Sequence, residues 1–95
     1  MPVFVVVNAT ITDPEGLADY SASVGPSLAG RDFKVHVANN EASVIEGEAG
    51  ERVVVMEFPT REAALDWYHS DEYQAVIGKR LNSTKGFLVL VDGLG

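Results

Sequence analysis

The chain has 95 residues, of which 46% are hydrophobic and 22% are charged, a composition typical of a single globular domain spanning residues 1–95. Fourteen acidic against seven basic side chains give a net charge of −7, which disfavours nucleic acid and anionic membranes as partners. The absence of cysteine and the presence of only two histidines exclude disulfides, thiolate chemistry and a metal site built on three imidazoles. We therefore expect neither a bound metal nor a tightly held cofactor.

The amino terminus carries no recognisable targeting signal. Its apolar run, Val3–Val7, is too short for the core of a signal peptide, and no positively charged region precedes it. No other segment approaches the roughly 18 consecutive apolar residues that a transmembrane helix needs. We therefore expect a cytoplasmic protein.

The first elements along the chain are a strand and a helix. Residues 3–9 are rich in β-branched side chains, which predicts a buried strand. A helix over residues 13–28 follows, because Asp13-Pro14 supplies an N-cap residue and a first helical residue. Gly25-Pro26 is expected to interrupt or end this helix, since proline disfavours a helical conformation at the residue before it.

Three further strands are predicted in the middle of the chain. Residues 33–38 alternate apolar and polar side chains, which is typical of a half-exposed strand. Residues 43–46 are predicted to form a short strand, and residues 52–58 a strongly apolar one that Pro59 ends.

The last third of the chain contains two predicted helices and a strand. Thr60 and Ser70 are N-cap residues of helices near 60–69 and 70–82. Residues 86–92 then form the closing strand. With the middle strands paired as hairpins, the order reduces to β-α-β-β-α-β, the ferredoxin-like split βαβ arrangement of the α+β class. We expect a four- or five-stranded antiparallel sheet with the helices on one face.

Three of the predicted strands are apolar on both faces, namely residues 3–7, 52–58 and 87–92. An antiparallel sheet with one solvated face shows alternation of apolar and polar residues instead. Helices on one side cover only one face of the sheet, and soluble monomers avoid large exposed apolar patches. The pattern therefore predicts a homodimer in which the helix-free sheet faces of two copies pack together.

The segment from Glu46-Gly47 to Glu57-Phe58-Pro59 and its continuation through Trp67-Tyr68-His69-Ser70 to Glu72-Tyr73-Gln74 resembles the DUF1330 family. This is a group of uncharacterised proteins in the dimeric α+β barrel superfamily. The resemblance extends over nearly the whole chain and implies the ferredoxin-like fold and the dimer. It implies no particular reaction.

Several ionisable or hydroxyl-bearing side chains lie on or beside apolar stripes. Such a group is costly to bury unless it is hydrogen-bonded, so it usually has a partner or a task. We therefore predict one cleft between the sheet and its helices, with a cavity of at least about 300 Å³. Its predicted lining is Tyr20, Glu57, Tyr68, Tyr73 and Arg80, with His36 as a neighbour.

Within this set, Glu57 and His36 are the candidate catalytic residues, because both can move protons near neutral pH if burial raises the pKa of the carboxyl. The three tyrosines and Arg80 are candidate ligand-binding residues. In the alternative interpretation, Glu57 and Arg80 form a structural ion pair and the tyrosines belong to the core.

Two function classes stay open at this point. One is a small-molecule enzyme that acts on a hydrophobic or aromatic metabolite, by analogy with the superfamily. The other is a non-catalytic dimeric module that binds a small molecule or regulates a partner. A cavity lined by convergent polar groups favours the enzyme, and a solidly packed core with polar groups at the rim favours the module.

Overall fold

A computed structural model describes residues 1–94 of the chain. The elements are β1 (Val3–Ile11), α1 (Pro14–Leu28), β2 (Lys34–Asn39), β3 (Arg52–Phe58), α2 (Arg61–Tyr68), α3 (Asp71–Gln74), α4 (Ile77–Leu81) and β4 (Thr84–Asp92). The strands form one antiparallel sheet in the order β2-β3-β1-β4. The helices lie on one face of it, which confirms the predicted ferredoxin-like α+β fold. No helix of this part of the chain is long and apolar enough to cross a membrane.

The strand predicted over residues 43–46 was wrong. The segment between β2 and β3 is irregular, with Val44 49% exposed and Ile45 92% exposed. Its link to the start of β3 is a hydrogen bond from the Ala42 amide to the Glu51 carbonyl. An apolar run of two residues buries too little surface to offset the entropy of ordering a fifth strand.

The edge strand β2 departs from strict alternation. The pairing with β3 shifts between Val35 and Val37, which is the mark of a β-bulge. Val35 is paired with Met56, whereas Val37 is paired with Val55 on the other face of the sheet. The bulge thus places Val37 on the same side as His36, a placement that simple alternation does not predict.

Helix α1 continues through Pro26 to Leu28, so the predicted interruption was wrong. Proline disfavours a helical conformation at the preceding residue because its ring collides with the Cβ of that residue. The preceding residue is Gly25, which has no Cβ. The predicted N-cap is present, since the Asp13 carboxylate accepts a hydrogen bond from the Gly16 amide at 3.1 Å.

The helix predicted over residues 70–82 is divided into α3 and α4. Ser70 caps α3 as expected, because its hydroxyl oxygen accepts a hydrogen bond from the Tyr73 amide. The chain then turns at Ala75 and Val76, where the Val76 amide bonds to the Tyr73 carbonyl in a tight i−3 pattern. This turn separates two short helices, each of which contributes a buried side chain to the core, Tyr73 and Arg80.

The side chains of β1 define the two faces of the sheet. Val3, Val5, Val7 and Ala9 are buried beneath the helices, on what we call the helix face. Phe4, Val6 and Asn8 point the other way, onto what we call the open face, which no helix covers. On the open face of β4, Phe87, Val89 and Val91 are 52%, 41% and 43% exposed.

Gly86 in β4 lies where the backbones of β4 and β1 approach closely. A Cβ at this position would fall on the Asn8 carbonyl oxygen and on Ala9 of the neighbouring strand. We expect Gly86→Ala to lower the free energy of unfolding by about 3 kcal/mol, because backbone atoms of β1 cannot move aside without breaking the sheet. The control is Gly78→Ala in α4, where a Cβ meets no atom within 4 Å. This control should be neutral or stabilising by about 0.5–1 kcal/mol in urea denaturation. Equal stabilities for the two variants would contradict the prediction.

Candidate functional site

An aromatic cluster lies between the helices and the helix face of the sheet. Trp67 of α2 is 2% exposed and stacks on Phe58 of β3, with ring centroids 5.6 Å apart. Tyr73 of α3 is completely buried, and its ring centroid is 4.3 Å from that of Trp67. The indole nitrogen of Trp67 donates a hydrogen bond to the Ser27 hydroxyl of α1 at 3.1 Å. The cluster therefore joins three helices to the sheet and holds the Trp67 ring in one orientation.

Tyr20, Tyr73 and Arg80 form a buried hydrogen-bonded chain, which we call the Arg–Tyr–Tyr chain. The Nε of Arg80 donates to the Tyr73 hydroxyl at 3.2 Å. The hydroxyl groups of Tyr73 and Tyr20 are 3.0 Å apart. Arg80 is only 8% exposed and Tyr20 only 6%, so a cation and two phenols lie inside the core of a chain of only 10.2 kDa. Three of the six side chains predicted for the site are thus brought together.

The environment of Tyr20 opposes ionisation of its hydroxyl. Burial raises the pKa of Tyr20 far above its ordinary value, and the nearby Tyr73 raises it further. The positive charges of Arg80 and Arg52 lower the pKa but do not offset the effect of burial. Tyr20 therefore keeps its proton at neutral pH and can act as a hydrogen-bond donor.

Two small pockets flank Trp67 on the helix face. The first, which we call the Tyr68 pocket, has a volume of about 230 Å³ and lies between α2 and strands β1 and β4. It is lined by Val5, Ala64, Leu65, Trp67, Tyr68, His69, Leu88 and Leu90. The second, the Tyr20 pocket, also has a volume of about 230 Å³ and lies between α1 and strands β2 and β3. Each is smaller than the cavity of about 300 Å³ that the single predicted cleft required.

Arg52 is a member of the site that the sequence analysis missed. It lines the Tyr20 pocket, and its Nη1 donates to the Asn40 side-chain oxygen at 2.6 Å. Its Nε is buried and has no hydrogen-bond partner among residues 1–94. Burial lowers the pKa of Arg52, and the like charge of Arg80 lowers it further, against the opposing effect of Tyr20. A signal was present in the sequence, because Arg52 shares its face of β3 with the apolar Val54 and Met56.

Glu57 and His36 lie on the opposite side of the sheet from the tyrosines. His36 Nε2 and Glu57 Oε1 are 2.8 Å apart on the open face, and the His36 ring lies 5.8 Å from that of Phe4. The prediction of one cleft containing Glu57 and the tyrosines was therefore wrong, and so was the alternative of a Glu57–Arg80 ion pair. The reason is strand alternation, since Met56 and Phe58 face the helices and Glu57 between them must face away.

Tyr68 is the last of the six side chains predicted for the site. Tyr68 is half-buried at the wall of its own pocket, with its ring centroid 5.6 Å from that of Tyr73. His69 is exposed at the end of α2, beside Tyr68. Within residues 1–94, no three side chains of the His, Cys, Asp and Glu types are grouped as metal ligands.

The buried Tyr20 hydroxyl should make stability sensitive to alkaline pH. In the unfolded chain this group ionises near its ordinary pKa of 10.0, whereas in the folded chain the pKa is raised. The contribution of the protonated Tyr20 to the free energy of unfolding is fully present below pH 10. It is lost by about 1.4 kcal/mol per pH unit as the pH rises from 10 towards the pKa of Tyr20 in the folded chain. We expect Tyr20→Phe to remove this contribution, so that its free energy of unfolding falls less steeply than that of the wild type in urea titrations above pH 10. Parallel curves for the two proteins would contradict the assignment.

Comparison with known proteins identifies structural relatives at low sequence identity. A protein of unknown function from Rhodopseudomonas palustris is 18% identical, with a TM-score of 0.82 over 99% of this chain and 83% of that chain. SnoaB, a cofactor-independent oxygenase from Streptomyces nogalater, is 9% identical, with a TM-score of 0.69 over 99% and 94% of the two chains. A dimeric ferredoxin-like protein of unknown function from Thermobifida fusca is 8% identical, with a TM-score of 0.69 over 98% and 92%. At these identities the likeness shows the fold alone.

No protein with a curated description matches the chain. The family model of a domain of unknown function, DUF1330, matches residues 2–94, which is nearly the whole sequence. The buried aromatic cluster and the two pockets thus lie entirely within the matched region. The chain belongs to the DUF1330 family.

Proposed function

We propose that the chain is a small-molecule enzyme that binds an aromatic or apolar metabolite on the helix face, beside Trp67. The observation that carries the proposal is the Arg–Tyr–Tyr chain, which places a guanidinium and two phenols inside the core and ends at Tyr20 in the wall of a pocket. Ligand sites are typically apolar concavities with a few convergent polar groups, and the Tyr20 pocket has that character. Its volume of about 230 Å³ suits a ligand with one or two fused rings.

The energetic cost of the Arg–Tyr–Tyr chain supports a functional role. Phenylalanine at positions 20 and 73 would fill nearly the same volume without two hydroxyl groups to satisfy. An arginine removed from water must recover its lost hydration through hydrogen bonds, and burial of such groups contributes little net stability. A core chosen for stability alone would therefore favour apolar side chains at these places. The polar groups are better explained as parts of a site that binds and orients a substrate.

A structural neighbour suggests the class of reaction. SnoaB shares the fold and is a cofactor-independent oxygenase. We propose oxygenation of an aromatic substrate as the first reaction to test. Tyr20 would donate to a substrate oxygen atom, Trp67 would contact the ring, and Tyr73 and Arg80 would hold the Tyr20 hydroxyl in place through the Arg–Tyr–Tyr chain. Glu57 and His36 lie outside this site, on the open face, and we propose that they lie at the interface between two copies of the chain.

A non-catalytic binding module is the second candidate. It is favoured by the mutual satisfaction of the buried groups, since Tyr73 already has hydrogen-bond partners in Arg80 and Tyr20. The two candidates differ in whether a bound ligand is converted.

A substrate panel tests the proposal. The protein is incubated in air with phenol, naphthol, naphthalenediol and indole, and products are detected by mass spectrometry together with oxygen uptake. We expect turnover of at least one of these compounds and a loss of about 100-fold in kcat/KM in Tyr73→Phe, because the substrate then loses a preorganised donor chain. Ser43→Ala, which removes a hydroxyl from the exposed loop before β3, is the control. Binding without turnover would favour the module, and absence of both would contradict the proposal.

We also propose that two copies of the chain pack through their open faces. The support is the exposed apolar surface of Val37, Phe87, Val89 and Val91, together with the dimeric state of the Thermobifida fusca neighbour. In a two-fold assembly, the same patch on both copies is removed from water. The His36–Glu57 pair lies on this face and would be enclosed at the interface.

A single charge tests the assembly. Val89→Glu places a carboxylate on the open face, beside Val6 of β1. We expect the wild type to sediment as a dimer and this variant to sediment as a 10.2 kDa monomer. Leu81→Glu introduces the same charge at a 58% exposed position on α4 and should leave the dimer intact. A monomeric wild type at micromolar concentration, or a dimeric Val89→Glu variant, would contradict the proposal.

A further inference from the structure

Within residues 1–94, the hydrogen bonds of the Arg–Tyr–Tyr chain leave one hydroxyl proton without an acceptor. Arginine has donors only, so the Arg80 Nε–H must donate to the Tyr73 oxygen. Tyr73 is completely buried, and within residues 1–94 its hydroxyl has no other partner than Arg80 and Tyr20. The two hydroxyl groups share one hydrogen bond, in which either oxygen can be the donor, so one of the two phenolic protons has no acceptor within residues 1–94. Of the two tyrosines, Tyr20 is the one that lines the pocket, where an entering acceptor can take its proton while Tyr73 donates to Tyr20.

Arg52 adds a second donor to the same pocket. Its Nη1 is occupied by Asn40, while its Nε is buried without an acceptor in the described part of the chain. Within residues 1–94, the contacts between carboxylates and basic side chains join Asp92 to Arg61, Asp19 to Lys79 and Glu57 to His36, so neither Arg52 nor Arg80 is neutralised by a carboxylate. A chain with a net charge of −7 thus keeps, within residues 1–94, one guanidinium group without a carboxylate partner at the wall of this pocket, that of Arg52.

We infer that the ligand of the Tyr20 pocket carries a carboxylate, which Arg52 and Tyr20 bind. This inference rests on the proposed function and specifies the chemical class of its ligand. A carboxylate has two acceptor oxygens and one negative charge, which matches two donors of which one is cationic. The remaining lining is largely apolar, including Val24, Leu28 and Met56, so the rest of the ligand is an apolar or aromatic group. An unsatisfied buried donor costs free energy that an entering acceptor recovers.

Phenylacetate and phenylacetamide provide a matched pair of probes. They have nearly the same size and shape, but only the first is an anion. The chain has a single tryptophan, and Trp67 lines both pockets, so its fluorescence reports on binding without a label. We expect phenylacetate to bind about tenfold or more tightly than phenylacetamide. Arg52→Gln should abolish this preference.

Arg61→Gln is the control, because it removes one positive charge at an exposed position on α2, away from the Tyr20 pocket. It should retain the preference for the acid. Tyr20→Phe is the second variant, which leaves Arg52 in place and should weaken phenylacetate binding about tenfold. Equal loss in Arg52→Gln and Arg61→Gln would overturn the inference, since it would reflect net charge alone.

The two proposals fail in different ways. Equal binding of phenylacetamide and phenylacetate to the wild type would overturn the carboxylate site and leave the proposed small-molecule pocket in place. Binding of neither probe would overturn the carboxylate site, and the aromatic panel would then decide the proposed function separately. A preference for the acid without turnover of any aromatic compound would support the carboxylate site in a non-catalytic module.

Discussion

The alternation of side chains along β1 is the constraint on which the rest of the molecule depends. β1 pairs with β3 on one side and with β4 on the other, so its register sets the orientation of both neighbours. Val5 lies beside Met56 and Leu90 on the helix face, and Phe4 lies beside Glu57 and Val91 on the open face. A slip of one residue would exchange the two faces completely. The helix face then accepts the helices, and the open face is left for another surface.

Trp67 and Tyr73 join the helices to the helix face and so shape the candidate site. Their rings are in contact, and they connect α2 and α3 to the helix face below and to α1 beside them. Since both residues are buried, the positions of the helices and the shape of the two pockets are coupled through one cluster. Substitution of Trp67 by a smaller residue would merge the two pockets and open a cavity in the core.

The polar groups of the helix face differ from those of the open face in how they are satisfied. On the open face, the imidazole of His36 and the carboxylate of Glu57 pair with each other. On the helix face, Arg80 is bonded to a neutral phenol in the core, and Arg52 at the Tyr20 pocket is bonded to a neutral amide. Two cations held by neutral partners in a low-dielectric environment attract an anion more strongly than the same groups in water. This imbalance distinguishes the Tyr20 pocket from an ordinary packing defect.

The sequence by itself determined most of the elements and the two-sided apolar strands, because periodicity and caps are local properties. Asp13, Thr60 and Ser70 begin helices where their short polar side chains can cap the first turn. Tyr20, Tyr73 and Arg80 could be predicted as a group because each lies on an apolar helical stripe. Only the tertiary structure decided that Glu57 faces away from them and that Arg52 faces towards them. Both side chains belong to β3, and a strand shows which residues share a face but not which face the helices will cover; that choice is made by packing between segments distant in the chain.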